Sequence, residues 1–236
     1  MGYTKSELTV LPIAFSVMLA ITLFLRLGLK GRSEKLKRAP FFVITVTMVA
    51  GEVVKQLRGL FVGYDLWWIP LHFCSTYFIW FSLAEFTRGE FSKRMKNVAF
   101  LASAVLFFAF YSQPRAIISS ACEDIFRDFS TAHSFFFHHL ALLYFMLSVG
   151  LDQVKVGVKD IPYWTVGMGV YYLLAVGCAF ALNVNYFSVL ENPVPLFDAV
   201  RVRCSQLVYN LLQGSVLVFG VPLVVLIVER LKRLRG

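Results

Sequence analysis

The stretch WWIPLHFCST, residues 67–76, places one imidazole and one thiol directly after a proline in an otherwise apolar region. The thiol of Cys74 could act as a nucleophile if a base or a positive charge helped it to lose its proton. On a regular helix, two residues separated by two positions point about 200° apart, so His72 is predicted to be a poor base for Cys74. We therefore expect the base to come from another helix.

A second stretch, STAHSFFFHH at residues 130–139, supplies three of the four histidines, namely His133, His138 and His139. Ser130 or Thr131 is predicted to cap the helix that carries them. At roughly 1.5 Å per residue, they lie about one to two turns below its start. His138 stacks over Ser134 at the four-residue spacing, whereas His133 points elsewhere. This helix is predicted to supply the base.

A third group, GEVVKQ, places Glu52, Lys55 and Gln56 on one helical face, because they are three and four residues apart. In hydrocarbon such side chains cost about 2.5–3.5 kcal/mol each, so they usually face the interior of a bundle and mark function. A buried ion pair that only fixes helix register is an equally good interpretation of Glu52 and Lys55.

Further polar side chains occur near the end of the chain, and they are Asn185, Tyr186, Gln206, Asn210 and Gln213. The last three recur at i, i+4 and i+7 and so form a stripe on one helix face. Hydrogen bonding between helices is the favoured interpretation of this stripe, and support of a substrate is the alternative.

The chain that carries these residues is strongly apolar: 58% of its 236 residues are hydrophobic, 16% are charged and the mean hydropathy is +0.69. This excludes a water-soluble domain. A helical crossing needs about 20 apolar residues, and seven crossings are predicted. They cover residues 8–29, 40–60, 69–86, 98–111, 130–151, 161–182 and 204–228. We predict an all-α, polytopic membrane protein whose seven-transmembrane-helix bundle is a single domain over residues 1–236.

Basic residues concentrate in alternate loops, and short cytoplasmic loops are the ones that carry excess Lys and Arg. The basic segments are 30–38, 88–96 and 230–235, whereas 62–68, 112–129 and 183–203 are not strongly basic. The N-terminus is therefore predicted outside and the C-terminus inside, and a bacterial cytoplasmic membrane is the predicted location. Anionic headgroups account for the net charge of +9, so no nucleic-acid partner is expected.

The four cysteines form no CxxC motif, which gives no support for a zinc ribbon or a thioredoxin-type motif. Cys122 and Cys204 lie in or beside outward loops and could form a disulfide.

The stretches GEVVKQ, LWWIPLHFCS, AHSFFFHH and NVNY with the following NPVP resemble the YwaF-like bacterial integral membrane proteins and, more distantly, transmembrane protein 164. The similarity covers residues 45–210. It implies a seven-helix bundle and, for the eukaryotic branch, a cysteine-dependent acyltransferase that moves acyl chains between phospholipids and lysophospholipids. In that case Cys74 is the nucleophile, and a histidine of HSFFFHH is its partner, with His138 a better match than His139.

The leading hypothesis is therefore a membrane acyltransferase that needs no cofactor. Cys74 would attack an ester carbonyl after its proton passes to His138 or His133. Lys55, Asn185 or backbone amides would stabilise the oxyanion.

Two rivals remain open at this point. One is a metal-dependent lipid hydrolase, in which His72, His133 and either His138 or His139 would bind zinc. The other is a transporter or binding protein for a small solute or lipid, in which Glu52, Lys55 and the Gln and Asn stripe would bind cargo.

Overall fold

The computed structural model describes residues 4–112, 122–192 and 194–235, and this part of the chain is helical and contains no strand. The helices are α1 Lys5–Gly28, α2 Glu34–Val62, α3 Thr76–Phe86, α4 Gly89–Ser112, α5 Phe129–Gly150, α6 Ile161–Leu182, α7 Pro195–Arg203 and α8 Gln206–Arg235. Two short 3-10 turns, Leu66–Trp68 and Phe73–Ser75, lie between α2 and α3. The prediction of an all-α chain is confirmed for the described residues, which omit 113–121 of the predicted loop 112–129.

Six helical segments of the described chain are long and apolar enough to cross a membrane, and they contain α1, α2, α4, α5, α6 and α8. The predicted crossing that is missing from these six is the third, residues 69–86, which corresponds to α3 and its 11 residues. A helix of this length spans roughly 16 Å, whereas the hydrocarbon core is about 30 Å thick. By helix length, the described chain therefore has six candidate spans.

The segment that contains α3 nevertheless runs back along α2. Near the start of α2, Arg38 Nε donates to Glu85 Oε2 at 2.9 Å. Near the end of α2, Gln56 Nε2 donates to the carbonyl of Trp68 at 2.7 Å. Arg38 and Gln56 lie about five helical turns apart, or roughly 27 Å. The chain between Trp68 and Glu85 covers the same length, partly as irregular backbone.

The predicted crossing 69–86 does not begin as a helix at residue 69. His72 is extended, with φ −83° and ψ 157°, Cys74 lies in a 3-10 turn, and α3 begins only at Thr76. Proline removes an amide donor and disfavours the helical conformation of the residue before it. The regular-helix geometry that separated His72 from Cys74 therefore does not apply.

The fourth span is longer than its predicted range of 98–111, because α4 begins at Gly89. Its first turns are charged but still helical, since they form ion pairs inside the protein. Arg94 Nη1 lies 3.0 Å from Asp160 Oδ1, and Lys96 Nζ lies 3.6 Å from Glu85 Oε1. Hydropathy alone misses such turns because the charges are neutralised by residues that are distant in sequence.

The cap of α5 also differs from the prediction. The helix begins at Phe129 and its N-cap is Asp128, whose Oδ2 accepts the Thr131 amide at 2.7 Å. The prediction of Ser130 or Thr131 as the cap is therefore wrong by two or three positions. The three histidines of α5 consequently lie slightly deeper in the helix than expected.

Aromatic packing joins the central helices. Tyr144 of α5 is fully buried, stacks on Phe81 of α3 at a centroid distance of 3.9 Å and contacts Phe41 of α2 edge-on at 4.9 Å. Such pairs add about 0.5–1.5 kcal/mol beyond burial of their area. They fix α3 between α2 and α5.

The two ends of the bundle differ in character. We call the end at which α1 ends and α2 begins the basic end; α3 also ends there, and Arg38, Glu85 and Lys96 meet there. We call the opposite end, which holds residues 62–74, the cysteine end. The polar residues singled out around Cys74 belong to the cysteine end.

Candidate functional site

The site is built around a break in regular structure between residues 63 and 75. Backbone carbonyls in such a break lack helical partners, and at membrane depth irregular backbone occurs only where protein or a cavity surrounds it. Side chains supply the partners here. Gln56 donates to the carbonyl of Trp68, Tyr171 to that of Pro70 and Tyr186 to that of Leu66. The break is therefore a fixed feature of the fold, since three hydrogen bonds hold it.

Cys74 lies at the inner edge of this break, two residues before α3, and its side chain is half-buried. The charges of Lys55 and Glu52 both act on its sulfur, and Ser75 is a hydrogen-bond partner. The positive end of a helix dipole and a nearby ammonium group both favour a thiolate. Lys55 and the start of α3 thus favour a thiolate at Cys74, whereas burial of the sulfur and the Glu52 carboxylate oppose one.

Two tyrosines complete the surroundings of the sulfur. The electrostatic interactions of Tyr77 and Tyr171 both include Cys74. The Tyr77 hydroxyl is buried and has no hydrogen-bond partner in the described part of the chain, whereas the Tyr171 hydroxyl is bonded to Pro70. Sequence analysis missed both residues, because the chain has many aromatic side chains and nothing in the sequence shows which of them lie near Cys74.

Glu52 contacts α5, and its charge also acts on the Cys74 sulfur. Its Oε1 lies 2.7 Å from Lys55 Nζ and accepts from Gln56 Nε2 at 2.8 Å, while Oε2 lies 3.8 Å from His133 Nε2. The side chains of Glu52 and Lys55 are only 8% and 14% exposed. A charge pair in such surroundings interacts strongly, because little water screens it. Among the three histidines of α5, His133 is therefore the one that contacts Glu52, whose charge acts on Cys74.

His138 and His139 are both buried, and each donates its Nδ1 hydrogen to the carbonyl four residues earlier. The acceptors are Ser134 at 2.6 Å and Phe135 at 2.7 Å. This leaves Nε2 as the basic nitrogen of each ring. Neither Nε2 has a hydrogen-bond partner among the described residues.

His72 serves the break itself. Its Nε2 lies 3.1 Å from the carbonyl of Trp67, and its ring packs against Trp67 at 4.1 Å and Tyr186 at 5.4 Å. These contacts hold the residues before Cys74 in place. His72 is therefore best described as part of the wall of the site.

Asn185 and the polar stripe of α8 organise the loop after α6. Asn185 Oδ1 accepts from the amides of Leu190 and Glu191, and its Nδ2 donates to the Glu191 carbonyl. In the stripe, Gln206 donates to the carbonyl of Val189, and Gln213 to that of Phe187. Tyr172 donates to the backbone carbonyl of Asn210 at 2.8 Å.

These bonds match the favoured interpretation of the stripe as links between helices and loops. They also occupy the side chain of Asn185, so it has little capacity left to stabilise an oxyanion. The amides of Ser75 and Thr76 are likewise bonded, to the carbonyls of His72 and Phe73.

The structure also bears on the zinc site of the hydrolase hypothesis and on a disulfide between Cys122 and Cys204. Within the residues that the structure describes, no group of three His, Cys, Asp or Glu side chains is placed to hold a metal ion. His72, His133 and a third histidine thus form no ligand set for the zinc hydrolase. Cys122 is buried, Cys204 is exposed, and no disulfide joins them.

Comparison with known proteins identifies one family. The model of the TMEM164 family matches residues 2–228, which is almost the whole chain. No curated protein and no solved structure matches the chain. The resemblance to transmembrane protein 164 is confirmed, and the assignment to the YwaF-like bacterial branch stays a prediction.

Proposed function

The chain belongs to the TMEM164 family, and on this basis we propose that it is a membrane acyltransferase that moves fatty acyl chains between phospholipids and lysophospholipids through a thioester on Cys74. The observation that carries the proposal is the position of this thiol. It lies in a break at the start of α3, with Lys55 and Glu52 acting on its sulfur. A thiol beside a helix start and a buried ammonium group has two of the features that activate a nucleophilic cysteine.

In the first half-reaction, the thiol proton passes to His133, and Glu52 stabilises the imidazolium that results. The Cys74 thiolate then attacks the ester carbonyl carbon of a phospholipid. The tetrahedral intermediate collapses, the carbon–oxygen bond breaks, and the leaving alkoxide takes the proton from His133 to become the hydroxyl of a lysophospholipid.

In the second half-reaction, the hydroxyl of another lysophospholipid attacks the thioester. Its proton passes to His133 and then to the departing Cys74 sulfur, which restores the thiol. Two donors are available to the oxyanion, because Asn185 and the first amides of α3 are already bonded. One is Lys55, whose ammonium group has three N–H donors and directs one at Glu52, and the other is the Tyr77 hydroxyl. One such donor is commonly worth about 3–4 kcal/mol of transition-state stabilisation.

We further propose that residues 66–86 form the seventh crossing, part irregular and part helical, with the N-terminus outside and the C-terminus inside a bacterial cytoplasmic membrane. The return of this segment along α2 supports the crossing. The excess of basic residues in 30–38 and 230–235 supports the orientation.

Acyl exchange in reconstituted vesicles tests the function. Purified protein is given phosphatidylcholine with an isotope-labelled acyl chain and unlabelled lysophosphatidylcholine, and transfer is followed by mass spectrometry. Cys74→Ala is expected to lower the rate by on the order of 10³-fold or more, because no other thiol can form the thioester. Cys178→Ala is the matched control, because Cys178 is also half-buried and lies in α6, and it should retain the rate.

The histidines are compared in the same assay. His133→Gln should lose most of the transfer, whereas His139→Gln should keep more of it, because His139 packs against Phe110 and Phe135 rather than Glu52. Full transfer by Cys74→Ala would refute the proposal. Lipid binding without turnover in the unmodified protein would instead favour a binding protein or transporter.

A further inference from the structure

An apolar cleft opens on the side of the bundle near the basic end, away from Cys74. It lies between α1, α2 and α5 and has a volume of about 440 Å³, within the range of about 300–1,000 Å³ that is typical of ligand pockets. Its walls include Leu25, Leu29, Pro40, Val43, Leu143 and Leu147. All the residues that line it are apolar, so it suits a hydrocarbon chain.

Basic residues adjoin the lining of the cleft along the chain. Leu29 and Leu36, which line it, enclose the turn between α1 and α2. That turn and the start of α2 carry Lys30, Arg32 and Lys35, all exposed.

These three cations differ from the other basic residues nearby. Lys37 pairs with Glu34 at 2.7 Å, and Arg38 pairs with Glu85 at 2.9 Å. Within the described part of the chain, Lys30, Arg32 and Lys35 have no acidic partner. An apolar groove beneath unpaired cations matches the two parts of an anionic lipid, namely an acyl chain and a phosphate headgroup.

We propose that this cleft is a binding site for an anionic phospholipid, with an acyl chain between α1, α2 and α5 and the headgroup at Lys30, Arg32 and Lys35. The site is separate from the candidate catalytic site. Pro40 and Lys55 lie about four helical turns apart on α2, or roughly 22 Å. The lipid therefore acts as a structural or regulatory ligand, and the proposal does not depend on the acyltransferase function.

Native mass spectrometry of the full-length protein in detergent tests the proposal. Phosphatidylglycerol and phosphatidylcholine with the same acyl chains are titrated separately. The unmodified protein should retain one phosphatidylglycerol at concentrations at which phosphatidylcholine is not retained. The triple substitution Lys30→Gln, Arg32→Gln and Lys35→Gln should weaken that retention by about tenfold or more, because each basic residue near a membrane surface contributes to the attraction.

A second triple substitution controls for net charge. Lys159→Gln, Arg230→Gln and Arg233→Gln removes three exposed cations just before α6 and on α8, two helices that do not line the cleft, and should leave retention unchanged. Equal losses in both triple variants would overturn the proposal, since they would indicate only general attraction. Displacement of the lipid by soluble glycerol phosphate would also overturn it, because the headgroup alone would then suffice.

A pair of tryptophan substitutions tests the cleft. Val43→Trp fills it, whereas Val166→Trp adds the same bulk on α6; the two valines are 61% and 65% exposed. Val43→Trp should abolish the preferential retention and Val166→Trp should keep it. Retention by both would place the lipid elsewhere and overturn the proposal. If the first triple variant does not fold, Arg32→Gln alone, in the exposed turn, gives the same comparison.

Discussion

Glu52 can be interpreted as half of a structural ion pair or as part of the catalytic site. Its two carboxylate oxygens contact Lys55, Gln56 and His133, and its charge also acts on Cys74. The i, i+3 and i, i+4 spacing was sufficient to predict that Glu52, Lys55 and Gln56 share a face. The link to His133 could not be predicted, because it depends on the way α2 and α5 pack.

A double-mutant cycle separates the two interpretations. Lys55→Met should lower the free energy of unfolding by about 3 kcal/mol, because it leaves the buried Glu52 carboxylate without its closest cation. Combining it with Glu52→Gln should recover much of that loss, since the remaining buried charge is removed. The measurement is thermal unfolding in detergent.

Acyl exchange is measured on the same variants. If the pair has a catalytic role, the double variant should regain stability while its transfer rate stays low. A rate that recovers together with the stability would show that the pair only holds the helices together.

At the scale of elements, the Trp80 ring of α3 lies directly against Gly167 of α6. A Cβ atom added to Gly167 would lie 2.3 Å from Cη2 of Trp80, whereas one added to Gly177 on the same helix would meet no atom within 4 Å. Trp80 is buried, so its ring has little room to move. Hydropathy identified α6 correctly, but the need for glycine at residue 167 comes from a ring on another helix and leaves no periodic signal.

The two glycines give a matched pair of substitutions. Gly167→Ala should lower the free energy of unfolding by about 1–3 kcal/mol, because the added methyl group overlaps the buried Trp80 ring and displaces it. Gly177→Ala should leave stability unchanged or raise it by up to about 1 kcal/mol, since alanine favours a helix. Thermal unfolding of both variants checks this, and equal stabilities would contradict the close approach of the Trp80 ring to Gly167.

At the scale of the whole molecule, long apolar helices were predictable and their exact ends were not. Five of the predicted spans overlap long helices closely, because a bilayer demands a continuous apolar run. The charged start of α4 and the break before α3 escaped prediction, since both are stabilised by partners distant in sequence. The predicted topology can be tested with a cysteine that the chain already has.

Cys204 is exposed just before α8, on the side predicted to be outside. A membrane-impermeant maleimide should label it in intact cells, and Cys204→Ser should remove that labelling. A cysteine introduced by Ser33→Cys at the basic end, in the Cys204→Ser background, should react only after lysis. The reverse pattern would invert the proposed orientation.

The break before α3 has a consequence for how the chain is made. Its carbonyls at Leu66 and Pro70 are bonded by Tyr186 and Tyr171, which follow them by 120 and 101 residues. When residues 66–75 leave the ribosome, these partners do not yet exist. Residues 66–75 therefore cannot reach their final conformation until α6 has entered the bilayer. In a ribosome-stalled chain that ends before Tyr171, Cys74 should lie in a different environment from that in the finished protein.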